Sequence, residues 1–311
     1  MNKLILVAMA VCALAACAAA DVGAWQVPGD WEVRVTEQGA VREWTGKTWC
    51  GHVQGMCVSS NALYFAFHNQ IVKTDWYGRL LKRADNLVKH TGDICYWNGR
   101  LYTIVCHAKP VEGVPGSSAS IQMFDEDLNI VKTHTFTRVK GEGGDGITCL
   151  DGVLYVGMAG SCLPGESPEQ RHCARFRKFD ATTLEEIGNG PFVVDFHAPI
   201  GVYGQQNITT DGTYIYVDSD APDEDGDTFF KFDRDFKLLG KYNFGWKQGV
   251  DVVPGGKDGA VRFIYCSTPN WLKFREEPTL SVHALILFAE LKGDNIRDIT
   301  RHCVFKNPLP R

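Results

Sequence analysis

Apolar runs rich in Val, Ile, Leu, Tyr and Phe, each only a few residues long, alternate along this chain with Asn-Gly and Asp-Gly pairs. Apolar spacing of three and four residues, which would mark an amphipathic helix, is scarce. The pattern predicts an all-β protein. One segment, Ile94-Cys95-Tyr96-Trp97-Asn98-Gly99-Arg100-Leu101-Tyr102, returns as Ile147-Thr148-Cys149-Leu150-Asp151-Gly152-Val153-Leu154-Tyr155, and again as Ile208-Thr209-Thr210-Asp211-Gly212 leading to Ile215-Tyr216. A fourth copy, residues 56–61 followed by Leu63-Tyr64, keeps the frame without the glycine. Asn-Gly and Asp-Gly supply the positive φ angles of a two-residue hairpin, so these copies predict a strand, a turn and a strand.

A second marker follows each hairpin. Thr74-Asp75, Phe124-Asp125, Phe179-Asp180 and Phe232-Asp233 close a third strand and precede another apolar pair such as Leu80-Leu81 or Leu238-Leu239. These aspartates recur at intervals of 50, 55 and 53 residues, and each is expected to cap a turn through the backbone just beyond it. A divergent fifth unit runs from Val250-Asp251-Val252-Val253 through 262–265 and 285–288 to a last strand within 299–305. Five units of four antiparallel strands match the blades of a β-propeller, in which each blade buries its faces against its neighbours. Residues 31–44 are expected to form a hairpin near Gln38-Gly39 that completes the last blade or contributes to a sixth. An open β-solenoid is the rival architecture, but its units are usually much shorter.

Residues 1–20 read as an export signal, because Lys3 precedes an apolar run over 4–16 that is too short to span a bilayer. Ala18-Ala19-Ala20 resembles a cleavage site and Leu14-Ala15-Ala16-Cys17 a lipobox, so residues 21–311 are expected to be one extracytoplasmic propeller domain, released or lipid-anchored. Such an anchor is the only membrane contact expected, and the domain is expected to be a monomer. The chain has 11 cysteines, which fits an oxidising compartment. Setting aside Cys12 and Cys17 in the leader leaves an odd number for the fold, so at least one thiol is unpaired or bridges two molecules. Cys162 and Cys173 bracket a polar loop containing Pro164, Gly165 and Pro168, and are expected to form a disulfide. A formal net charge of −5 and a pI near 6.0 argue against nucleic acid as a partner, since phosphate binding needs concentrated Lys and Arg.

In a propeller, the loops entering the innermost strands and those joining second to third strands emerge on one face. Length variation falls at the second position: short at His68-Asn69-Gln70, long over 107–118, 160–175, 218–227 and 266–279. Insertions gathered on one face of a repeat protein commonly mark its binding face. The innermost strands begin with polar residues, one column reading Gln54, Gly92, Asp145, Gln206, Gln248 and the next Gly55, Asp93, Gly146, Asn207, Gly249. Radial closure brings both columns around the central channel, where amides and carboxylates present convergent donors and acceptors. His52, His90 and His107 are placed near the channel mouth. The competing structural reading of the columns is that they hydrogen-bond and hydrate a narrow channel.

Asp93 and Asp145 are therefore the candidate acid/base carboxylates, with His52, His90 or His107 as proton carriers and Gln54, Gln206, Asn207 and Gln248 as positioning groups. Calcium would suit Asp93, Asp145 and Asn207, and zinc would suit His52, His90 and a carboxylate, though neither set has a diagnostic spacing. On the long loops, Trp271 and Lys273, with Arg275 and Arg171, form a pattern suited to sugar rings and anionic glycans. The acidic run 218–227 fails the EF-hand template and reads as a solvated loop. Gly-x-Ser-x-Gly and the phosphate-binding Gly-rich loop are missing, which weighs against serine-hydrolase and nucleotide-dependent chemistry.

His90-Thr91-Gly92-Asp93-Ile94, followed by Asn98-Gly99 and Leu101-Tyr102, resembles blade sequences of secreted bacterial β-propellers. The resemblance implies a superfamily containing glycan-processing enzymes, lectins and interaction modules, and carries no residue-by-residue assignment. The leading expectation is a carbohydrate-recognising propeller, a glycoside hydrolase or polysaccharide lyase if catalytic. Its alternatives are a non-catalytic module binding a protein or surface, and a metal-dependent phosphoesterase or lactonase-like enzyme.

Overall fold

The computed structural model describes residues 31–32, 53–76, 80–85, 87, 90–107, 111–114, 117–138, 146–158, 172–197, 205–219, 228–244, 248–253, 259–267, 285–298 and 304–305. Five antiparallel sheets of four consecutive strands make a five-bladed β-propeller, with no helix among the described residues. Blade 1 is β2 (Val53–Val58), β3 (Leu63–Phe67), β4 (Gln70–Thr74) and β5 (Leu80–Ala84); blade 2 is β6 (Thr91–Trp97), β7 (Arg100–Cys106), β8 (Ser118–Asp125) and β9 (Ile130–Thr137). Blade 3 is β10 (Ile147–Leu150), β11 (Val153–Met158), β12 (Cys173–Asp180) and β13 (Phe192–Asp195); blade 4 is β14 (Gln205–Thr210), β15 (Ile215–Ser219), β16 (Thr228–Phe232) and β17 (Leu238–Asn243). Blade 5 is β18 (Gln248–Val253), β19 (Val261–Ser267), β20 (Leu285–Lys292) and β21 (Asn295–Asp298).

The hairpin signals turn the chain where their chemistry requires. Asn98 and Gly99 have φ of 48° and 73°, and Asp151 and Gly152 have 52° and 79°, the left-handed pair of a type I′ turn. The recurrent aspartates cap the next turn as their spacing predicts: Asp125 Oδ1 accepts from the N–H groups of Asp127 and Asn129, Asp180 Oδ1 from Thr182 and Thr183, and Asp233 Oδ1 from Asp235 and Lys237. Each of these turns contains a bulky residue with positive φ, namely Leu128, Leu184 and Phe236. Burial of all three side chains against the blades holds that unfavourable conformation.

Two expectations need correction. The fourth strand of blade 5 is β21, not a segment within 299–305, because Gly293 takes a φ of 60° and lets Lys292 pair with Asn295 across a two-residue turn. The chain then continues to β22 (Val304–Phe305), which pairs antiparallel with β1 (Trp31–Glu32) in a separate two-stranded sheet. These end segments thus belong neither to the last four-stranded blade nor to a sixth one; the turn expected at Gln38-Gly39 lies outside the described residues.

The core lies between blades. Cys57, Tyr64 and Ile71 of blade 1 pack on Leu101 and Phe124 of blade 2; Ile104 and Ile121 on Leu154 and Phe179 of blade 3; Phe176 and Val194 on Val217 and Phe230 of blade 4; and Tyr216 and Phe229 on Phe263 of blade 5. The outer edge is kinked in the same way in three blades. Register shifts leave Leu81, Val131 and Leu239 as bulged, exposed residues near the start of β5, β9 and β17, and such bulges disrupt an edge that would otherwise template pairing with another chain.

At the axis the innermost strands approach so closely that a Cβ added to Gly55 would lie 2.5 Å from Asp93 Cα and 2.8 Å from Ile94 N. Gly55→Ala is expected to destabilise the fold by about 3 kcal/mol, since backbone must move to admit the methyl. Gly99→Ala, in an open turn with nothing within 4 Å, is expected to cost about 1 kcal/mol through its positive φ. Urea unfolding of both variants checks the contrast.

Candidate functional site

The polar columns coincide with irregularities in the innermost strands. Register shifts fall on Gln54 in β2, on Gly92 and Asp93 in β6, on Gln206 in β14 and on Gly249 in β18. A bulge re-aims side chains that a regular strand would send to alternate faces. Here it turns polar groups into hydrogen bonds across the axis.

Asp93 is 1% exposed. Its Oδ1 accepts the Ile94 N–H at 2.9 Å, and its Oδ2 accepts the N–H groups of Ile147 at 3.2 Å and Ile208 at 3.0 Å. One carboxylate thereby joins blades 2, 3 and 4. Burial pushes its pKa well up, against the opposing pull of these three N–H donors. Asn207, wholly buried, is likewise occupied: its Oδ1 accepts the Gly249 N–H at 2.8 Å and its Nδ2 donates to Asp218 Oδ2 at 3.3 Å. The geometry gives Asp93 and Asn207 an architectural role, because their polar atoms are spent on the protein itself.

Asp251, outside the two polar columns, is a second such carboxylate. Asp251 Oδ1 accepts from Thr209 Oγ1 at 2.6 Å and from its neighbour Val252 N–H at 2.8 Å, while Oδ2 accepts the Val58 N–H at 2.9 Å, joining blades 5, 4 and 1. Asp251 is half-buried, and loss of water around the carboxyl is the largest cause of its pKa rising to about 6. The signal was visible as one carboxylate inside the apolar run Val250-Asp251-Val252-Val253.

Five of the six described imidazoles, by contrast, sit at strand ends on the loop face, while His134 lies within β9 against Phe136 and Phe179. His68, in the β3–β4 turn, shares its Nδ1 with Nδ1 of His90 at 2.9 Å and meets Gln54 Nε2 through its own Nε2 at 3.1 Å. The two rings lie edge to face with centroids 4.3 Å apart. His107, just beyond β7, makes a 2.6 Å contact from Nε2 to Ser120 Oγ, which lies 2.7 Å from Thr135 Oγ1. Burial and then the Arg138 charge lower the His107 pKa, favouring the neutral ring. On blade 3, Asp195 stands between His172 and His197, each Nδ1 3.2 Å from a carboxylate oxygen. Its pKa falls although burial alone would raise it, because the His197 N–H and both imidazoles favour the anion. His68, His172, Asp195 and His197 were not foreseen: three flank strand ends without a repeated motif, and His68 sits in the one short loop of the series.

Gln54 thus joins His68 and His90, whereas Gln206 sits half-buried in its bulge and Gln248 opens β18. Asp145, His52, Arg171, Trp271, Lys273 and Cys162 lie outside the described residues, and with Cys162 the expected bridge to Cys173. The described cysteines Cys57, Cys95, Cys106, Cys149, Cys173 and Cys266 form no disulfide among themselves. Burial raises the thiol pKa of Cys57, Cys95 and Cys266 strongly, which makes them poor nucleophiles. Among the described residues no group of three or more His, Cys, Asp or Glu is arranged to hold a metal ion. Of the calcium set, Asp93 and Asn207 are already committed to internal hydrogen bonds.

No protein-family model matches the sequence, and no curated protein matches it. Solved structures do share the fold. A GH43 β-xylosidase/α-arabinofuranosidase from a compost microbial metagenome, solved with xylotriose, is 10% identical over 80% of this chain and 94% of its own, with a TM-score of 0.51. Glutaminyl cyclase of Myxococcus xanthus is 12% identical over 69% of this chain and 85% of its own, with a TM-score of 0.45. Hydrazine synthase of Kuenenia stuttgartiensis is 11% identical over 86% of this chain and 68% of its own, with a TM-score of 0.44. At these identities the likeness is one of fold alone.

The buried carboxylates make stability depend on pH with a definite sign. A pKa raised on folding means that the native state holds more protons than the unfolded state between about pH 4 and 6, so the contribution of Asp251 is full below that window and lost as pH rises through it. Asp251→Asn, which places an amide where three donors point, is expected to cost about 1–3 kcal/mol and to flatten this part of the pH profile. The stability gap between the parent and the variant should narrow from pH 4 to pH 7 in denaturant titrations; a constant gap would refute the assignment.

Proposed function

We propose that the protein is an extracytoplasmic carbohydrate-binding propeller whose ligand sits on the loop face over blades 1 to 3. The observation that carries this reading is the placement of His68, His90, His107, His172 and His197 at strand ends of that one face, with Gln54 and Asp195 among them. Imidazole, amide and carboxylate groups held by one another supply both donors and acceptors, which sugar hydroxyls require. A propeller can carry an oligosaccharide, as the xylosidase solved with xylotriose does.

Recognition is favoured over turnover. Glycoside hydrolysis needs two carboxyl groups facing the scissile bond, and the axial carboxylates Asp93 and Asp251 have their oxygens occupied by backbone and hydroxyl donors. Asp145 is the carboxylate of the original pair left to test. A second reading, a module that docks a protein, is favoured by the pairs Leu80-Leu81 and Ile130-Val131 on the outer strands, 44–54% exposed.

A glycan panel presented to the purified domain tests the first reading. We expect selective binding that His90→Ala and His172→Ala each weaken about tenfold, the loss of one to two ordinary hydrogen bonds, with circular dichroism unchanged. Failure of every neutral and acidic glycan to bind would reject it.

A further inference from the structure

Contacts across the seam between blades 2 and 3 fix which side chains of β9 and β12 face each other. In β9 every second residue turns toward blade 3: Lys132 Nζ donates to the Thr183 carbonyl at 2.6 Å, and the rings of His134 and Phe136 meet that of Phe179 with centroids 5.8 and 5.0 Å apart. In β12 the odd positions turn back toward blade 2, since the Arg177 guanidinium lies over the Phe136 ring at 5.1 Å, while Ala174 and Phe176 pack toward blade 4. β9 climbs to the loop face and β12 descends from it. Above the rung formed by Phe136 and Arg177, the same alternation brings Arg138 and Arg175 to the loop-face end of the seam. The ladders reach that level: the Arg138 N–H donates to the Ser117 carbonyl at 2.9 Å, and Arg175 is in register with Met158 and Val193.

These two facing stretches carry cations and no acids. Residues 130–138 include Lys132 and Arg138, and residues 173–178 include Arg175, Arg177 and Lys178, with neither Asp nor Glu, in a chain whose formal net charge is −5. Two carboxylates of blade 3 are already engaged, Glu186 with Arg177 at 3.2 Å and Asp195 between His172 and His197. Arg138 has no such partner among the described residues; its guanidinium makes one long contact, from Nη2 to the His107 carbonyl at 3.5 Å. Arg138 and Arg175 are both half-buried. A solute can therefore reach them, yet each has lost part of its hydration, and a charge-assisted pair is worth more there than on open surface.

Resting on the carbohydrate reading of the loop face, we infer that this end of the seam is an anion subsite, at which Arg138 and Arg175 hold the carboxylate or sulfate group of an acidic glycan. A guanidinium presents a planar fork that matches either group with two parallel N–H···O bonds, where an ammonium offers only a point charge. Two cations at one level repel each other, and a bound anion relieves that repulsion, a gain that a neutral sugar cannot supply. Arg177, one rung below, is neutralised by Glu186, so selectivity rests with the upper pair.

Calorimetric titration of the purified protein with oligogalacturonate and with its methyl ester, which removes the charge at little change of shape, tests the carboxylate. A sulfated galactan oligosaccharide and its desulfated form do the same for the sulfate. The inference expects one acidic probe to bind at least about tenfold more tightly than its uncharged form, and Arg138→Gln and Arg175→Gln each to remove about tenfold of that affinity, the loss of a charge-assisted hydrogen bond, with neutral glycans unaffected. Added salt should weaken the acidic probe alone, and Arg138→Lys should recover part of the loss. Equal affinity for charged and uncharged forms, variants that bind the acidic probe as the parent does, or equal binding of polyglutamate would each overturn the inference and leave the carbohydrate reading standing. If no glycan binds, neutral or acidic, that reading falls and the subsite with it. Arg138→Gln should also raise the His107 pKa, which burial and then the Arg138 charge hold down; an unmoved His107 titration in the folded variant would place the guanidinium elsewhere and overturn the assignment. Arg175→Gln and Arg138→Lys carry the test should Arg138→Gln fail to fold.

Discussion

Five innermost strands meeting at one axis leave room for very little, and among the described residues two carboxylates tie those strands together. Asp93 gathers N–H groups from β6, β10 and β14, and Asp251 gathers donors from β18, β14 and β2. Between them they touch every blade. A propeller made of sheets that pack face to face through apolar side chains has no covalent reason to hold a particular radial register. Buried charge-assisted hydrogen bonds, each directional and each costly to leave unmade, supply that reason. The cost appears in the raised pKa values of both groups, which are the price of taking them out of water.

The remaining features of the axis follow from how closely its strands approach one another. Gly55 is small because Asp93 lies against it, Gly146 because Ile208 does, and Gly249 because its neighbours are Met56 and Gly55 of blade 1. Gly249 also has a φ of 71°, which points its N–H at Asn207 Oδ1. Bulges at the same level of four innermost strands turn polar side chains inward without breaking the apolar alternation below them. The axis is a hydrogen-bonded hub, and His68, His90, His107, His172 and His197 stand apart from it at strand ends of the loop face.

The scaffold was legible because repetition multiplies weak signals. An Asn-Gly or Asp-Gly pair is modest evidence by itself, but its recurrence with an aspartate one strand later locates three strands in each of three blades, and the capping geometry shows why both residue types recur. Blade 5 was harder, since its final turn uses Gly293-Asp294 and its third strand follows a long loop. The axis was only half legible. The columns containing Asp93 and Asn207 were correctly brought together, but sequence does not report that neighbouring backbones spend the carboxylate's lone pairs, and a polar residue next to glycine reads equally as site or strut. Asp251 shows the converse, a strut whose clue was its isolation in an apolar run. The rim histidines escaped because they sit at strand ends, where pairing register, not local motif, decides what faces what.

Separating hub from rim has a consequence for how such a fold takes on function. A residue that ties three blades together is constrained by all of them, so a substitution at Asp93 answers first to stability. His68, His90, His172 and His197 hang from turns and strand ends, where a changed side chain disturbs one local pair of contacts and leaves the interblade core untouched. The seam between blades 1 and 2 stands between these regimes. Its lower half is packed like any interblade core, while Thr103, Ser118 and Gln122 bring polar side chains from the rim into the interior. A pair of blades held together at the axis by shared hydrogen bonds can leave its upper seam polar without losing register, because the hub, and not the seam, fixes where each blade stands.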